Sequence, residues 1–544
     1  KQGRIWGALP LPVPRFYDPP MSEARAGALH WWQTRWGVLA IAAFTTLPLL
    51  WPALPPLIDL PGHMVAYKSE LDRASSPYLQ QWYTLHWAPM GNLGVNLLIL
   101  PLGRLLGLEP AMKLIVLMIP PMLAGGFLWI AREVHGRVPP TALFAVPMAY
   151  CYPFVFGFLN FMLSMALGFV AYALWLRLGR LGRFRLRAAL FVPISILVWL
   201  AHTFGWGTLG LLAFVAEWVR EQERGRRWPQ APFRAALHCL PLVPPIVLML
   251  VWRSGDVAGE TRGWFAVVPK VNYILYALRD RWAWIDIPSI LVVLALVAAP
   301  FVLRRRFRFA PTLAGAAAFL FLFYLILPQR IFGSSYADMR IMPFALAVTL
   351  IALRPPPEWT RPLALAGLAF MGFRMAEETL SFALYARAWD RELVALDHVP
   401  RGAKLVSFVG TPCRGEWTMA RFDHLPGLAV VRREAFSNDQ WSVAGAQLNR
   451  VAYAPAGRFG RDPSQIVRLH DCPVNRWPTL DMSLRQFPRS AFDYVWLVNP
   501  PAWDHRLTAG MVPVWSNGRS VLLRIADRTQ PLILSTDTLP AVVP

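Results

Sequence analysis

The chain has 544 residues, 56% of them hydrophobic and only 16% charged, with a mean hydropathy of +0.38. These values exclude an ordinary soluble globular protein and identify a polytopic α-helical membrane protein. The formal charge of +22, from 54 Lys and Arg against 32 Asp and Glu, does not signal a nucleic-acid partner, because most of the excess is Arg in short links between apolar runs, the positive-inside pattern.

The opening stretch KQGRIWGALPLPVPRFYDPP has no apolar core, so it reads neither as a cleavable signal nor as a span, and Met21 is the expected natural start. Residues 1–35 are assigned to a basic cytoplasmic segment. The first apolar run, about Trp36 to Leu57, ends in LIDLPGHMVAYKSELD, which brings Asp59, His63, Glu70 and Asp72 to the bilayer edge. A long first outer loop, 58–111, follows. Within it NLLILPLGRLLG (Asn96 to Gly107) is too short to span comfortably and is expected to lie as an amphipathic helix on the outer surface.

Three Arg-rich links set the orientation: Arg177 to Arg187, Arg220 to Arg234, and Arg304 to Arg308, all expected on the cytoplasmic side. An even number of spans must fit between consecutive links. Apolar runs are read at about Met112 to Ile130, Thr141 to Val155 and Phe161 to Trp175, with two short spans between Ala188 and Val219 broken at HTFGWG (His202 to Gly207). Further spans are read at about Leu237 to Val251, Ser289 to Leu303, Ala310 to Leu327, Ile341 to Leu353 and Pro362 to Tyr385. The expectation is therefore about 11 spans within 36–388, with the N-terminus inside and the C-terminus outside. Composition turns mixed near Asp390. KLVSFVG, LAVVRR, FDYVWLVNP and VPVWSNGRSVLLRI read as strands, the last a hairpin at Asn517-Gly518, so 389–544 is expected to form an extracytoplasmic α/β domain.

Asp59 carries two readings. It is either the N-cap of the helix that follows or a general base, since an ionisable group at the hydrocarbon edge is costly unless it faces protein or water. His63 would share its helical face. Glu70 and Asp72 read as solvated. The loop QRIFGSSYADMR (Gln329 to Arg340) brings Arg330, Asp338 and Arg340 to the outer side, where a guanidinium can clamp a lipid phosphate or simply reach the head groups. Lys270, in the outer loop Trp252 to Pro288, and His202, at the outer break, are further phosphate candidates. Asn160, in FGFLN, is the polar residue of the second outer loop. HExxH, CxxC and DxD motifs, P-loops and dinucleotide fingerprints are all absent, so neither metal nor cofactor is expected. Cys413 and Cys472, in an oxidising compartment, are expected to pair.

An acid just past the first span, a long first outer loop, a short second one and a C-terminal extracytoplasmic domain together resemble the GT-C glycosyltransferases, with DLPGH the most specific local match. The resemblance implies transfer from a polyprenyl-phosphate-linked sugar donor to a lipid, glycan or protein acceptor at the outer face of a bacterial inner membrane. Asp59 would be the base and Arg340 an approximate match to the basic residues that hold the donor phosphate. Asn160 departs from the family, where many members carry a second acid. The alternatives are a transporter or flippase for a lipid-linked sugar, or a non-catalytic subunit of a glycan assembly system.

Overall fold

The computed structural model describes residues 29–251, 260–303, 307–331, 334–413, 415–442, 447–472 and 477–530. Met21 and the expected cytoplasmic Arg304, Arg305 and Arg306 lie outside them. The chain forms an apolar helical region followed by a sheet-containing C-terminal region. Among the described residues four helices are long and apolar enough to cross a membrane: Leu108–His135, Leu159–Arg180, Phe184–Ala201 and Ala283–Val302. A fifth is obtained if Gln230–His238 and Leu240–Leu250, bent by 49°, are taken as one span.

Several of the 11 expected spans are instead shorter or broken helices, and proline accounts for much of this. The run from Trp36 divides into Arg35–Phe44 and Leu47–Leu50, with Pro48 starting the second piece. The run from Thr141 is a 3-10 helix, Pro140–Tyr150, joined to a single turn, Tyr152–Phe156, with Pro147 inside the first and Pro153 starting the second. Proline has no N–H to give the α-helical ladder and forces such breaks. The stretch expected to lie on the surface is a 13-residue helix, Gly94–Leu106, with Pro101 inside it.

The C-terminal sheet has five strands. The fully buried Leu405–Thr411 lies at its interior, flanked in parallel by Ile466–Arg468 and Tyr494–Val498. Its near-continuous apolar run is what burial on both faces requires. The hairpin Met511–Ser516 with Val521–Ile525 extends the sheet antiparallel to Tyr494–Val498. LAVVRR is not a strand. Leu428–Arg433 is a short helix whose four apolar residues are buried, and a brief apolar run suits either kind of buried segment. Cys413 and Cys472, beyond the ends of two neighbouring strands, are disulfide-bonded with Cα atoms 5.8 Å apart.

The 58–111 segment and the Arg279 segment are both stitched to the C-terminal region. Tyr83–Leu85 pairs antiparallel with Asn449–Val451. The Ser76 hydroxyl donates to Glu434 Oε2 at 2.6 Å, and the Trp82 indole donates to the Glu434 carbonyl at 3.1 Å. Arg279 donates to the carbonyls of Glu416 and Trp417 at 2.7 and 3.0 Å. These contacts bring tail residues over DLPGH.

Candidate active site

Asp59 directly precedes the helix Leu60–Asp72, and its carboxylate makes no capping hydrogen bond. Its backbone N–H is held by the Phe156 carbonyl at 2.9 Å. The next residue, Gly157, has φ +100°, and a Cβ there would come within 2.9 Å of the Asp59 nitrogen. Only glycine tolerates both conditions at once. The FGFLN loop therefore fixes the acid by its backbone and leaves the side chain to other work.

The surroundings of that side chain come from the far end of the sequence. Gly62 has no Cβ, and one placed there would meet the Trp441 ring at 2.8 Å and His424 Nδ1 at 3.2 Å. This lets the tail close directly onto the first turn of the helix. His424 Nδ1 is 2.9 Å from the Asp439 carbonyl, which can only accept, so Nδ1 carries the proton and Nε2 presents a lone pair. That Nε2 lies between two carboxylates, 4.0 Å from Asp59 Oδ1 and 3.9 Å from Asp462 Oδ1. Trp441 packs between the two imidazoles, with centroids 4.3 Å from His424 and 5.0 Å from His63. Asp423 accepts from the Thr411 hydroxyl at 3.0 Å, and Asp462 accepts from Gln465 at 2.8 Å.

Burial dominates the protonation of this group. It raises Asp59 well above the usual carboxylate range; Asp462 and Asp423 push the same way, and Arg340 pulls down. Asp423 is pushed up to about 7 and Asp462 to about 6 by the same desolvation. Burial lowers His63 to about 3, with help from His424 and Arg340, and burial also lowers His424. Both rings are held neutral beside acids that retain protons unusually readily.

Arg340 also packs against the FGFLN loop. Its guanidinium lies over the Phe158 ring, 4.3 Å from the centroid, one residue from the glycine that backs Asp59. It is 9% exposed, its Nε has no hydrogen-bond partner, and it forms no ion pair among the described residues. Its polar neighbours are Ser334 Oγ at 3.5 Å, the Ser335 carbonyl at 3.4 Å and His202 Nε2 at 3.4 Å. His202 Nδ1 accepts the Phe204 N–H at 3.1 Å, so in the neutral ring the proton is on Nε2. Two donors, Arg340 Nη1 and His202 Nε2, therefore face each other without an acceptor between them, an arrangement that suits an anion.

The other phosphate candidates have different surroundings. Lys270 donates to the carbonyls of Tyr324 and Leu327 at 2.7 and 2.8 Å and to Asp338 Oδ2 at 3.1 Å. Its three ammonium donors are spent on the protein. Asp338 also accepts from the Met339 N–H at 2.9 Å. Asn160 accepts from Val95 N–H at 2.6 Å and donates to the Asn92 carbonyl at 2.8 Å, tying the FGFLN loop to the 92–95 segment. Arg330 belongs to a two-residue strand paired with Ser334–Ser335. Glu70 accepts from Asn96 at 2.5 Å and so anchors the Gly94–Leu106 helix.

Sequence reading missed Asp423, His424, Trp441 and Asp462. One signal was present: DHLPG (Asp423 to Gly427) repeats the Leu-Pro-Gly of DLPGH with an acid and a histidine beside it, and the two segments pack together.

The sequence matches no protein-family model and no curated protein. Among solved structures, the crystal structure of ArnT from Cupriavidus metallidurans in the apo state is similar over 90% of this chain and 96% of that one, at 14% identity and a TM-score of 0.44.

Proposed function

We propose that this protein is an inverting, GT-C-like glycosyltransferase that moves a sugar from a polyprenyl-phosphate donor to an acceptor hydroxyl at the outer face of the membrane. The observation that carries the reading is the pairing of two unlike features across one short loop: a buried carboxylate free of capping duty, and a buried guanidinium whose neighbouring imidazole presents a second donor. The donor phosphate would lie against Arg340 and His202. Asp59 would take the proton of the acceptor hydroxyl as its oxygen attacks the anomeric carbon and the lipid phosphate leaves. Fixed positive charge stabilises the departing phosphate, and a base whose pKa is raised toward working pH is well matched to a hydroxyl. A single displacement inverts the anomeric centre. His63, Trp441 and His424 offer a partly polar aromatic wall of mutually tilted rings against which an acceptor can rest.

The test is sugar transfer in proteoliposomes, using a panel of polyprenyl-phosphate sugars and comparing the wild type with Asp59→Asn. Transfer by the wild type and a loss of about 10² to 10⁴-fold in a well-folded variant is expected. A folded Asp59→Asn protein that transfers at the full rate would overturn the assignment and favour a transport or assembly role.

A further inference from the structure

Behind the Asp59 loop, where the helical and sheet regions meet, six charged side chains are buried together: Asp280, Asp286, Arg374, Glu377, Glu378 and Arg421. The most exposed of them, Glu377, is 5% exposed. Arg374 donates to Asp286 Oδ1 at 2.7 Å, to Glu378 Oε1 at 2.8 Å and to the Leu278 carbonyl at 3.1 Å. Arg421 donates to Asp280 Oδ1 and to the Pro56 carbonyl. Asp286 is fully engaged, since its Oδ2 also accepts from the Asp280 N–H at 3.0 Å and the Trp417 indole at 2.7 Å.

The other three acids are not engaged in this way. Asp280 Oδ2, Glu378 Oε2 and both oxygens of Glu377 are buried without a hydrogen-bond partner. The 3.1 Å approach of Glu377 to Arg374 is a contact of charges that lacks hydrogen-bond geometry. Carboxylate oxygens from Asp280, Glu377 and Glu378 all lie within 4.8 Å of one another. Three carboxyl groups that converge in a buried space, each with an unpartnered oxygen, call for a positive centre among them. The charges make the same demand, because four carboxylates face two guanidinium groups.

We propose that Asp280, Glu377 and Glu378 hold a hard divalent cation of the calcium class. The donor set is all oxygen, which selects against soft metals. A calcium ion sits about 2.3–2.6 Å from each ligand oxygen, so oxygens up to the observed separation can share one ion with little movement. The ion balances the two unmatched negative charges. It also ties the Asp280 segment to the last long helix, Thr360–Leu393, and through the Asp280–Arg421 pair to the C-terminal region. Its role is architectural and does not depend on the reaction proposed above.

The test uses the full-length protein in nanodiscs. Metal content is measured by elemental analysis, and thermal stability is followed after chelation and after adding back Ca²⁺, Mg²⁺, Mn²⁺ or Zn²⁺. One bound divalent ion per chain is expected, with a fall in Tm on chelation that Ca²⁺ reverses best. Glu377→Gln and Asp280→Asn should each lose the ion and the Tm response while remaining folded, whereas Asp59→Asn should keep both. A metal-free protein whose Tm ignores chelator and all four ions overturns the proposal, because protons then neutralise the acids. Retention of the ion by both junction variants, or its loss in Asp59→Asn, overturns it equally, since the ion then binds elsewhere.

Discussion

Arg374 and Arg340 are both buried, yet their environments are opposite. Arg374 touches three carboxylates, Asp286, Glu377 and Glu378, at 2.7 to 3.1 Å. Arg340 touches aromatic rings, a histidine and two serines, and the carboxylate whose field it feels, Asp59, belongs to a separate element. Burying a charge is expensive, and the cost is recovered only through close partners. In the junction network those partners are side chains of the protein, so the arrangement is architecture. At the candidate active site the guanidinium of Arg340 and the carboxylate of Asp59 form no ion pair with each other among the described residues, so neither charge is matched by a close partner of opposite sign.

The comparison breaks most visibly at Asp59. If it acts as the base, Asp59→Asn should reduce transfer by about 10² to 10⁴-fold, the usual contribution of a general base, with donor binding intact. The carboxylate makes no capping bond, so Tm should not fall. Arg374→Ala should do the reverse. Removing one member of a buried ion network costs about 3–5 kcal/mol, so the Tm should drop steeply, and any protein that remains folded should bind donor normally. Circular dichroism melts paired with a donor-binding assay separate the two outcomes. A stable Arg374→Ala protein would mean that the network is not structural.

Arg340→Ala is the intermediate case. It removes charge-assisted hydrogen bonds worth about 1.5–3 kcal/mol, and donor affinity should fall by the matching factor while Tm holds or rises, because an unpaired buried charge has gone. Arg340→Lys should recover only part, since an ammonium cannot reproduce the planar fork. Unchanged donor affinity in Arg340→Ala would remove the phosphate assignment.

Chain order explains why half of this site was legible in advance. Asp59, Arg340 and His202 stand at the ends of apolar runs, where a polar residue is conspicuous against its background. Asp423, His424, Trp441 and Asp462 lie in a region of mixed composition where such residues are common, and only folding brings them over Gly62. The five-stranded sheet was legible in its long apolar strands and at Asn517-Gly518, but the three-residue strand Ile466–Arg468 is too short for alternation to register. Prolines cut several apolar runs into pieces, as at Pro48, Pro147 and Pro153. Hydrophobicity is visible in sequence there, but helix continuity is not. Lys270 reads as a phosphate candidate and Asp338 as one of three charges in the Gln329 to Arg340 loop, and their pairing is a tertiary fact.

The smallest expected effect tests the acids that tune Asp59. In the folded protein Asp423 titrates at about 7, with burial the leading cause, against about 3.9 in an unfolded chain. Between those values the folded state keeps a proton that the unfolded state has released, so this group's contribution to stability is complete below about pH 4 and declines as pH rises toward 7. His63 runs the other way. Its folded value is about 3, so the unfolded chain gains a proton first as pH falls below about 6.5, and stability declines toward acid. A raw stability profile mixes the two, but the difference between Asp423→Asn and the wild type cancels His63. An amide still accepts from Thr411 and never ionises, so the variant's relative Tm should climb from pH 4 to 7 and then level off. Asp462→Asn removes a like charge from both Asp59 and Asp423 and should move the acid limb of the transfer rate to lower pH. A relative Tm that is flat across this range would show that Asp423 titrates like a solvated acid and that the tail does not set the protonation of the site.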